Sequence, residues 1–436
     1  MKSLLITLLA ALSLSVVMNL PVRAEEAAAF STPVPAPSIP PNVDPATATR
    51  MWLDTVPAEK RARSDAYFEG KYWLILWEFV TAAVISIFLL VSGISARIRD
   101  WAEKLTRFKT MQVVFYVIPF LLLTGLLAFP LTAYEDFFRE HQYGLATQTF
   151  GPWFGDQLKA LGFSVVGLSI FLPVVYWVFR KSPRNWPIWA ATVVFVFQLF
   201  VMFIFPVFVA PAFNNYTPLE DPAIRDPIVA LARANQIPTD QVYEVDASRQ
   251  TTRISANVAG FLGTTRIALN DNLLKQCSLP EIREVMGHEM GHFVLNHGLK
   301  LSIYLGLLFL IGAFVIRFAF EKAVGRWGNS WGVRGIADPA GLPLLSLFLA
   351  AYFFLITPVT NTVIRVTEAE ADIFGLNTSR EPDGFAMVSL KLGTYRKLDP
   401  APLEEFIFFD HPSGRARIRM AMDWKAANLP AGETGP

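Results

Sequence analysis

The stretch EIREVMGHEMGHFVLNHG, residues 281–298, contains three of the five histidines in a chain of 436 residues. Ser278, just before the stretch, and Glu281, its first residue, have the spacing of a capping box, and Pro280 would occupy the first turn of a helix. The sequence therefore predicts a helix from about residue 279 through His292. Whether the histidines of this helix hold a metal ion is the central question about the chain.

Two of these histidines have the spacing of metal ligands. On a helix, His288 and His292 lie one turn apart and about 40° apart around the axis, so both imidazoles can reach one ion. Glu289 can reach a water at that ion without being a ligand, which suits a general base. Cys277 is the single cysteine, so any further ligand must be histidine or a carboxylate. The alternative is a chance pattern in which the histidines cap or pack.

A second polar pattern occurs in NTVIRVTEAEADIFG, where Asn361, Arg365, Glu368 and Asp372 recur at intervals of three and four residues. This spacing places them on one face of a helix. We predict Glu368 as the third metal ligand, leaving an open position for water. Arg365 and Asp372 are predicted to orient this ligand or stabilise charge, and Asn361 to contact substrate. The alternative is an amphipathic helix whose polar face is solvated.

Two other residues near these motifs are predicted to lie away from the metal. His297 follows His288 by nine residues, which would place it on the opposite side of a continuous helix, so we predict a structural or helix-end role. Glu370 lies off the polar face and is predicted to be solvated.

The composition indicates a membrane protein. Hydrophobic residues make up 53% of the chain and charged residues 17%, against about 25% charged residues in typical soluble domains. The net charge of +1 and the lack of long basic runs argue against a nucleic-acid partner. Six apolar stretches are about long enough to cross a bilayer: 72–96, 110–133, 160–179, 186–212, 301–320 and 341–364.

The order of apolar and polar stretches predicts a division of the chain. Residues 1–24 have the pattern of a signal peptide, with an uncleaved first membrane helix as the alternative. An Ala- and Pro-rich linker with an amphipathic segment follows. The predicted units after residues 1–24 are this linker (25–70), a four-helix membrane region (71–213), a zinc-binding soluble domain with helical and strand patterns (214–298), two membrane helices (299–364) and a C-terminal helical region (365–436).

Three late motifs carry a family resemblance: HEMGH, RVTEAEAD and HPSGRARI. They resemble those of the type I CAAX prenyl endopeptidases, a family of integral-membrane zinc metalloproteases, and the resemblance covers nearly the whole chain after residue 60. It implies a mostly α, polytopic membrane protein in which a bundle or barrel of about seven helices surrounds a chamber. A small α+β zincin-like domain would lie between the spans.

The resemblance also implies a set of site residues and a cofactor. It implies one Zn²⁺ per chain bound by His288, His292 and Glu368, with Glu289 as the general base and Asp372 as a supporting acid.

Three residues outside that set are implied to meet the substrate. His411 and Arg365 would lie near the substrate carbonyl, where a donor stabilises the developing oxyanion. The segment around Asn257 would supply an edge strand to which a peptide adds.

These features predict a membrane-embedded zinc metalloendopeptidase. It would carry out CAAX-type processing of prenylated peptides, or act as a quality-control or peptide-processing protease without a prenyl preference. An inactive zinc-binding scaffold is the third possibility. The predicted partners are a peptide or protein substrate, with or without a lipid, and the bilayer. Lysine and arginine are in excess on the side opposite the zinc domain, which favours an exoplasmic or periplasmic active site. The family resemblance implies the cytoplasmic side.

Overall fold

The structure, a computed structural model, describes residues 36–40, 42–260 and 264–430. Residues 1–24, predicted as a signal peptide or first membrane helix, lie outside these ranges. Within the described residues the chain is mostly helical and contains one four-stranded sheet, which agrees with the predicted fold class.

Helix α1 (Pro45–Asp54) lies within residues 25–70, which were predicted to be a linker with an amphipathic segment. The Asp44 side chain accepts hydrogen bonds from the backbone N–H groups of Ala46 and Thr47, and so caps the helix start. Trp52 is only 2% exposed and packs in the core of the polar domain. One apolar face of this segment is therefore buried against the polar domain.

Within the described residues, four long apolar helices and one short helix lie between α1 and the polar domain. They are α2 (Ala58–Val91), α3 (Ile94–Leu105), α4 (Lys109–Gln142), α5 (Phe150–Lys181) and α6 (Trp186–Ala212). All but α3 are long and apolar enough to cross a membrane. A helix satisfies its backbone polar groups internally, which a bilayer requires of any spanning segment. With 34 residues, α2 is about 50 Å long and so extends beyond a hydrocarbon core of about 30 Å.

The polar region after α6 folds as a sheet with helices packed against it. Its elements are β1 (Tyr216–Pro218), α7 (Pro222–Ala234), β2 (Val242–Val245), β3 (Ala256–Ala259), β4 (Arg266–Asn270), α8 (Asp271–Gln276) and α9 (Leu279–Val294). The strand order is β1-β2-β4-β3, with β2 and β4 parallel and the other pairs antiparallel. Strand β3 therefore lies at an edge of the sheet, next to the histidine helix α9.

The last apolar segment is bent. Helix α10 (His297–Trp331) is a fifth span, but α11 (Leu342–Leu355) and α12 (Thr357–Ser379) meet at an angle of 60°. The sequence predicts one span over 341–364, and the structure divides it near Pro358. Proline has no N–H for the carbonyl one turn earlier, and its ring crowds that turn, so the helix breaks there. The bend lets α12 run alongside α9.

Glycines allow α9 and α12 to approach closely. A Cβ atom on Gly287 would lie 3.1 Å from the Cα of Gly375, and one on Gly375 would lie 2.9 Å from the backbone nitrogen of His288. A side chain at either glycine would force the helices apart. This contact brings the histidine face of one helix against the acidic face of the other.

The polar domain is assembled from separate parts of the chain. The C-terminal helices are α13 (Pro382–Leu392), α14 (Pro402–Phe408) and α15 (Gly414–Asn428). One apolar core contains Trp52 of α1, Ile267 of β4, Met286 of α9 and Ile418 of α15. The predicted soluble domain, 214–298, therefore shares its core with segments from both ends of the chain.

Candidate metal centre

The helix that carries the histidines begins as the sequence predicts. The backbone N–H of Ser278 donates to Glu281 Oε2 at 2.6 Å, which completes the capping box at the start of α9. The helix continues to Val294, so His288 and His292 lie on one face, one turn apart.

Three side chains converge between α9 and α12. The Nε2 atoms of His288 and His292 are 3.1 Å apart. Glu368 Oε2 lies 3.3 Å from the His288 Nε2, and its Oε1 lies 3.6 Å from the His292 Nε2. The ligand atoms of the three residues all lie within 4.8 Å of one another. Two imidazole nitrogens and a carboxylate oxygen are suitable donors for a divalent metal ion.

The electrostatics of this cluster also fit a bound cation. Burial lowers the pKa of His288, but the hydrogen bond with Asp372 and the negative charge of the nearby Glu368 outweigh burial and raise the pKa to about 10. The surroundings therefore stabilise positive charge between these side chains. Among the described residues, Glu368 Oε2 is buried and accepts no hydrogen bond, although three cationic or imidazole groups lie near it. Coordination of a metal ion would give this oxygen a partner.

His288 is held in place by a buried carboxylate. Asp372 is completely buried and lies 2.8 Å from the Nδ1 of His288 through Oδ1. The Arg417 Nε donates to the other oxygen of Asp372 at 2.9 Å. A metal-binding histidine commonly donates its second ring N–H to a carboxylate, which fixes the ring orientation and tautomer. The structure gives the predicted supporting acid this position.

Arg417 is a residue of the site that the sequence reasoning missed. It comes from α15, is 5% exposed, and its Nη2 lies 3.6 Å from Glu368 Oε2. The sequence feature that could have indicated Arg417 is its place as the second arginine of HPSGRARI, which faces inward from the first turn of α15. Nothing in the local spacing relates it to Asp372, which lies 45 residues earlier.

Arg365, the arginine predicted from the sequence, contacts the backbone near His411 in the structure. Its Nη1 donates to the backbone carbonyls of Glu405, at 2.9 Å, and Phe409. Asn361, predicted to contact substrate, is 3% exposed and donates to the Ile407 carbonyl at 2.8 Å. Arg365 and Asn361 lie on the predicted face of α12, but α14 and the segment after it cover the part of this face that they occupy. Both therefore hold the segment that leads to His411.

His411 lies at the cluster, as the resemblance implied. Its Nε2 is 3.2 Å from Glu368 Oε2 and its Nδ1 is 3.1 Å from Asp410 Oδ1. Burial lowers the pKa of His411. The ring therefore stays neutral near pH 7 and can donate a hydrogen bond from one nitrogen.

The last two predicted residues, Glu289 and Asn257, lie on α9 and on β3. Glu289 is partly buried on α9, and burial raises its pKa above the ordinary value for a glutamate. Asn257 is exposed on β3, the edge strand that packs beside α9. The Asn257 backbone is therefore close to the helix that carries the metal-ligand cluster.

The fold and this cluster define a class of protein. The described residues contain a His-Glu-x-x-His helix, a glutamate from a bent helix and five to six apolar spans. These are the features of a multi-pass membrane metallopeptidase. Two family models match consecutive parts of the chain: the CAAX prenyl protease N-terminal domain with five membrane helices at residues 47–215, and peptidase family M48 at residues 218–425.

Similar proteins agree with this class. An uncharacterized metalloprotease of Bacillus subtilis (strain 168), YhfN, is 33% identical over 340 residues, which cover 76% of this chain and 78% of that protein. CAAX prenyl protease 1 of Saccharomyces cerevisiae is 28% identical over 320 residues, or 69% of this chain and 70% of that protein. The crystal structure of S. mikatae Ste24p matches with a TM-score of 0.71 and 22% identity, covering 91% of this chain and 94% of that one.

The chain belongs to peptidase family M48, in the branch of the CAAX prenyl proteases. It is an integral membrane metalloendopeptidase that acts on a peptide or protein substrate. The family resemblance and the mostly helical membrane fold predicted from the sequence are confirmed.

Proposed function

We propose that this chain is a zinc endopeptidase whose metal ligands are His288, His292 and Glu368. The convergence of these three donor groups within 4.8 Å carries the proposal. Two histidines and one glutamate leave a position for water at a catalytic zinc, whereas structural zinc sites are usually closed by four protein ligands. Bound zinc would polarise the scissile carbonyl and lower the pKa of water to about 7.

The neighbouring side chains have complementary tasks in this proposal. Glu289 accepts a proton from the attacking water and returns it to the leaving amine. Burial raises the pKa of Glu289, which makes its carboxylate a stronger base for accepting this proton. His411 donates an N–H to the developing oxyanion. Asp372 and Arg417 keep His288 in its binding orientation.

Strand β3 is the proposed binding surface for the peptide. It pairs with β4 on one side, so its other side offers backbone N–H and C=O groups to an extended peptide. Asn257 is exposed on this strand and would contact substrate side chains. A strand added here would run beside α9 and so bring its peptide bond toward Glu289.

The names of the relatives suggest two candidate classes of substrate. Several similar proteins are named CAAX prenyl protease 1, which makes a prenylated C-terminal peptide the first substrate to test. The Bacillus relative is named only as a metalloprotease, so processing of unmodified membrane or secreted peptides is the second.

Removing the metal tests the proposal. We expect treatment of the purified protein with a zinc chelator to abolish peptide cleavage, and added Zn²⁺ but not Mg²⁺ to restore it, because imidazole ligands favour zinc. Cleavage is measured on matched prenylated and unmodified peptides, and zinc content by elemental analysis. Undiminished cleavage by the zinc-free protein would refute the zinc mechanism. Stoichiometric zinc with no cleavage of any peptide would favour the inactive scaffold.

We also propose that the zinc domain faces the exoplasmic or periplasmic side. The segments that join the spans at the end opposite this domain are rich in basic residues. They contain Arg97, Arg99, Lys104, Arg107, Lys109, Arg180, Lys181, Arg184, Lys322, Arg326 and Arg334. Arg334 pairs with Glu103 at 2.8 Å, which supports a common location for two of these segments. Positive charge in short connections is retained on the cytoplasmic side.

Cysteine labelling in spheroplasts tests this orientation. In a Cys277→Ser background, we expect Glu220→Cys in the zinc domain to react with a membrane-impermeant maleimide, and Arg107→Cys at the basic end to react only after lysis. Both positions are exposed on the protein surface. The opposite labelling pattern would place the active site in the cytoplasm.

A further inference from the structure

The outer nitrogen of His292 faces a second histidine. His292 Nδ1 lies 2.9 Å from the Nδ1 of His297, whose side chain is 1% exposed. The sequence placed His297 on the opposite side of a continuous helix. In the structure α9 ends at Val294, and Asn296 adopts a left-handed conformation with φ 55° before α10 begins. This break turns His297 back toward His292.

A surface carboxylate completes the chain of contacts. The Nε2 of His297 lies 3.1 Å from Glu370 Oε2, and Lys300 Nζ lies 3.0 Å from the same oxygen. Glu370 was predicted to be solvated. Its side chain is 45% exposed, but it also pairs with both His297 and Lys300.

We infer that His297 is a positioning residue that sets the tautomer and orientation of the metal ligand His292. The inference rests on the proposed function, in which His292 binds zinc through Nε2. The Nδ1 of His292 then carries the proton and donates to the Nδ1 of His297, which must be unprotonated to accept it. The proton of a neutral His297 is consequently on Nε2, from which it donates to Glu370. Each nitrogen and oxygen in this chain has a matching partner.

The two metal-binding histidines are thus supported differently. His288 has a buried carboxylate, Asp372, tied to the buried Arg417. His292 is supported by the neutral ring of His297. This ring accepts a hydrogen bond from His292 on Nδ1 and donates one from Nε2 to the half-exposed Glu370. A leucine at position 297 could do neither. An asparagine keeps an acceptor oxygen near the position of Nδ1.

Zinc affinity of the full-length protein in detergent tests this role. We expect His297→Leu to weaken zinc binding about 10- to 100-fold, the usual effect of removing an outer partner of a metal ligand. His297→Asn should recover most of the loss. Affinity is measured by competition with a chelator of known zinc affinity, and thermal unfolding is measured on the zinc-free forms. His141→Leu, which replaces a histidine at the end of α4, is the matched control and should bind zinc like the wild type.

A second pair of variants keeps the test decisive if His297→Leu does not fold. Glu370→Leu removes the acceptor for His297 at a half-exposed position and should weaken zinc binding several-fold, whereas Glu370→Gln keeps an acceptor oxygen and should bind more tightly than Glu370→Leu.

The outcomes separate the two hypotheses. Equal zinc affinities for wild type, His297→Leu and Glu370→Leu would overturn the positioning role and leave the zinc site intact. A lower unfolding temperature with unchanged zinc affinity would mean that His297 is only structural, which also overturns it. A wild-type protein that binds no zinc would instead refute the proposed function.

Discussion

Replacement of Glu289 with glutamine is expected to lower the rate of peptide cleavage by about 10²- to 10⁴-fold, the usual contribution of a general acid-base group, while zinc stays bound. Glutamine has nearly the same shape but cannot accept a proton from the attacking water. Because Glu289 is not one of the three converging ligands, its replacement leaves the metal-binding donors in place. Cleavage and zinc content are measured on the same purified samples.

Glu220→Gln is the matched control for this change, since Glu220 is an exposed glutamate of the same domain, and it should cleave like the wild type. Cleavage by Glu289→Gln at the control rate would show that another group is the base. Loss of zinc together with activity would instead show that Glu289 contributes to the metal site.

Replacement of Arg417 with methionine is expected to destabilise the protein by about 3–5 kcal/mol, the usual cost of breaking a buried ion pair by removing one partner. Asp372 is completely buried and would lose the buried guanidinium that lies 2.9 Å from its Oδ2. Its hold on His288 would weaken, so we also expect zinc affinity to fall. Thermal unfolding in detergent and chelator competition measure the two effects.

Arg415→Met is a close control, because Arg415 lies on the same helix but is 44% exposed and pairs with Asp399 on the surface. It should be nearly as stable as the wild type, since exposed ion pairs contribute about 0–1 kcal/mol. Arg417→Lys should recover part of the loss through its retained charge. Equal stability of Arg417→Met and Arg415→Met would exclude the buried pair as a stabilising contact.

The local part of the site was accessible from the sequence because helices repeat. The intervals between His288 and His292, and between Glu368 and Asp372, place each pair on one face whatever surrounds the helix. The capping residues before α9 marked where that helix begins. Apolar length likewise predicted the spans, because a bilayer requires long helices with internally satisfied backbones.

Contacts that depend on the bends between helices were not accessible in this way. No partner was predicted for His297 because its angle was counted along an unbroken helix, and the turn at Asn296 reverses that direction. The polar stripe of α12 was treated as one surface. In the structure, Arg365 meets the carbonyls near α14 while Glu368 meets the histidines.

The sequence by itself determined that this is a helical membrane protein with two histidines spaced as metal ligands on one helix and a carboxylate that we propose as the third ligand. The tertiary structure decided that Arg417 pairs with Asp372 beside His288, that Arg365 contacts the backbone before His411, and which partner each histidine of α9 receives. The physical reason is that helical spacing fixes neighbours within one element. The packing of α9 against α12 and α15 brings together buried charges from distant parts of the chain, and those charges must find partners once water is excluded.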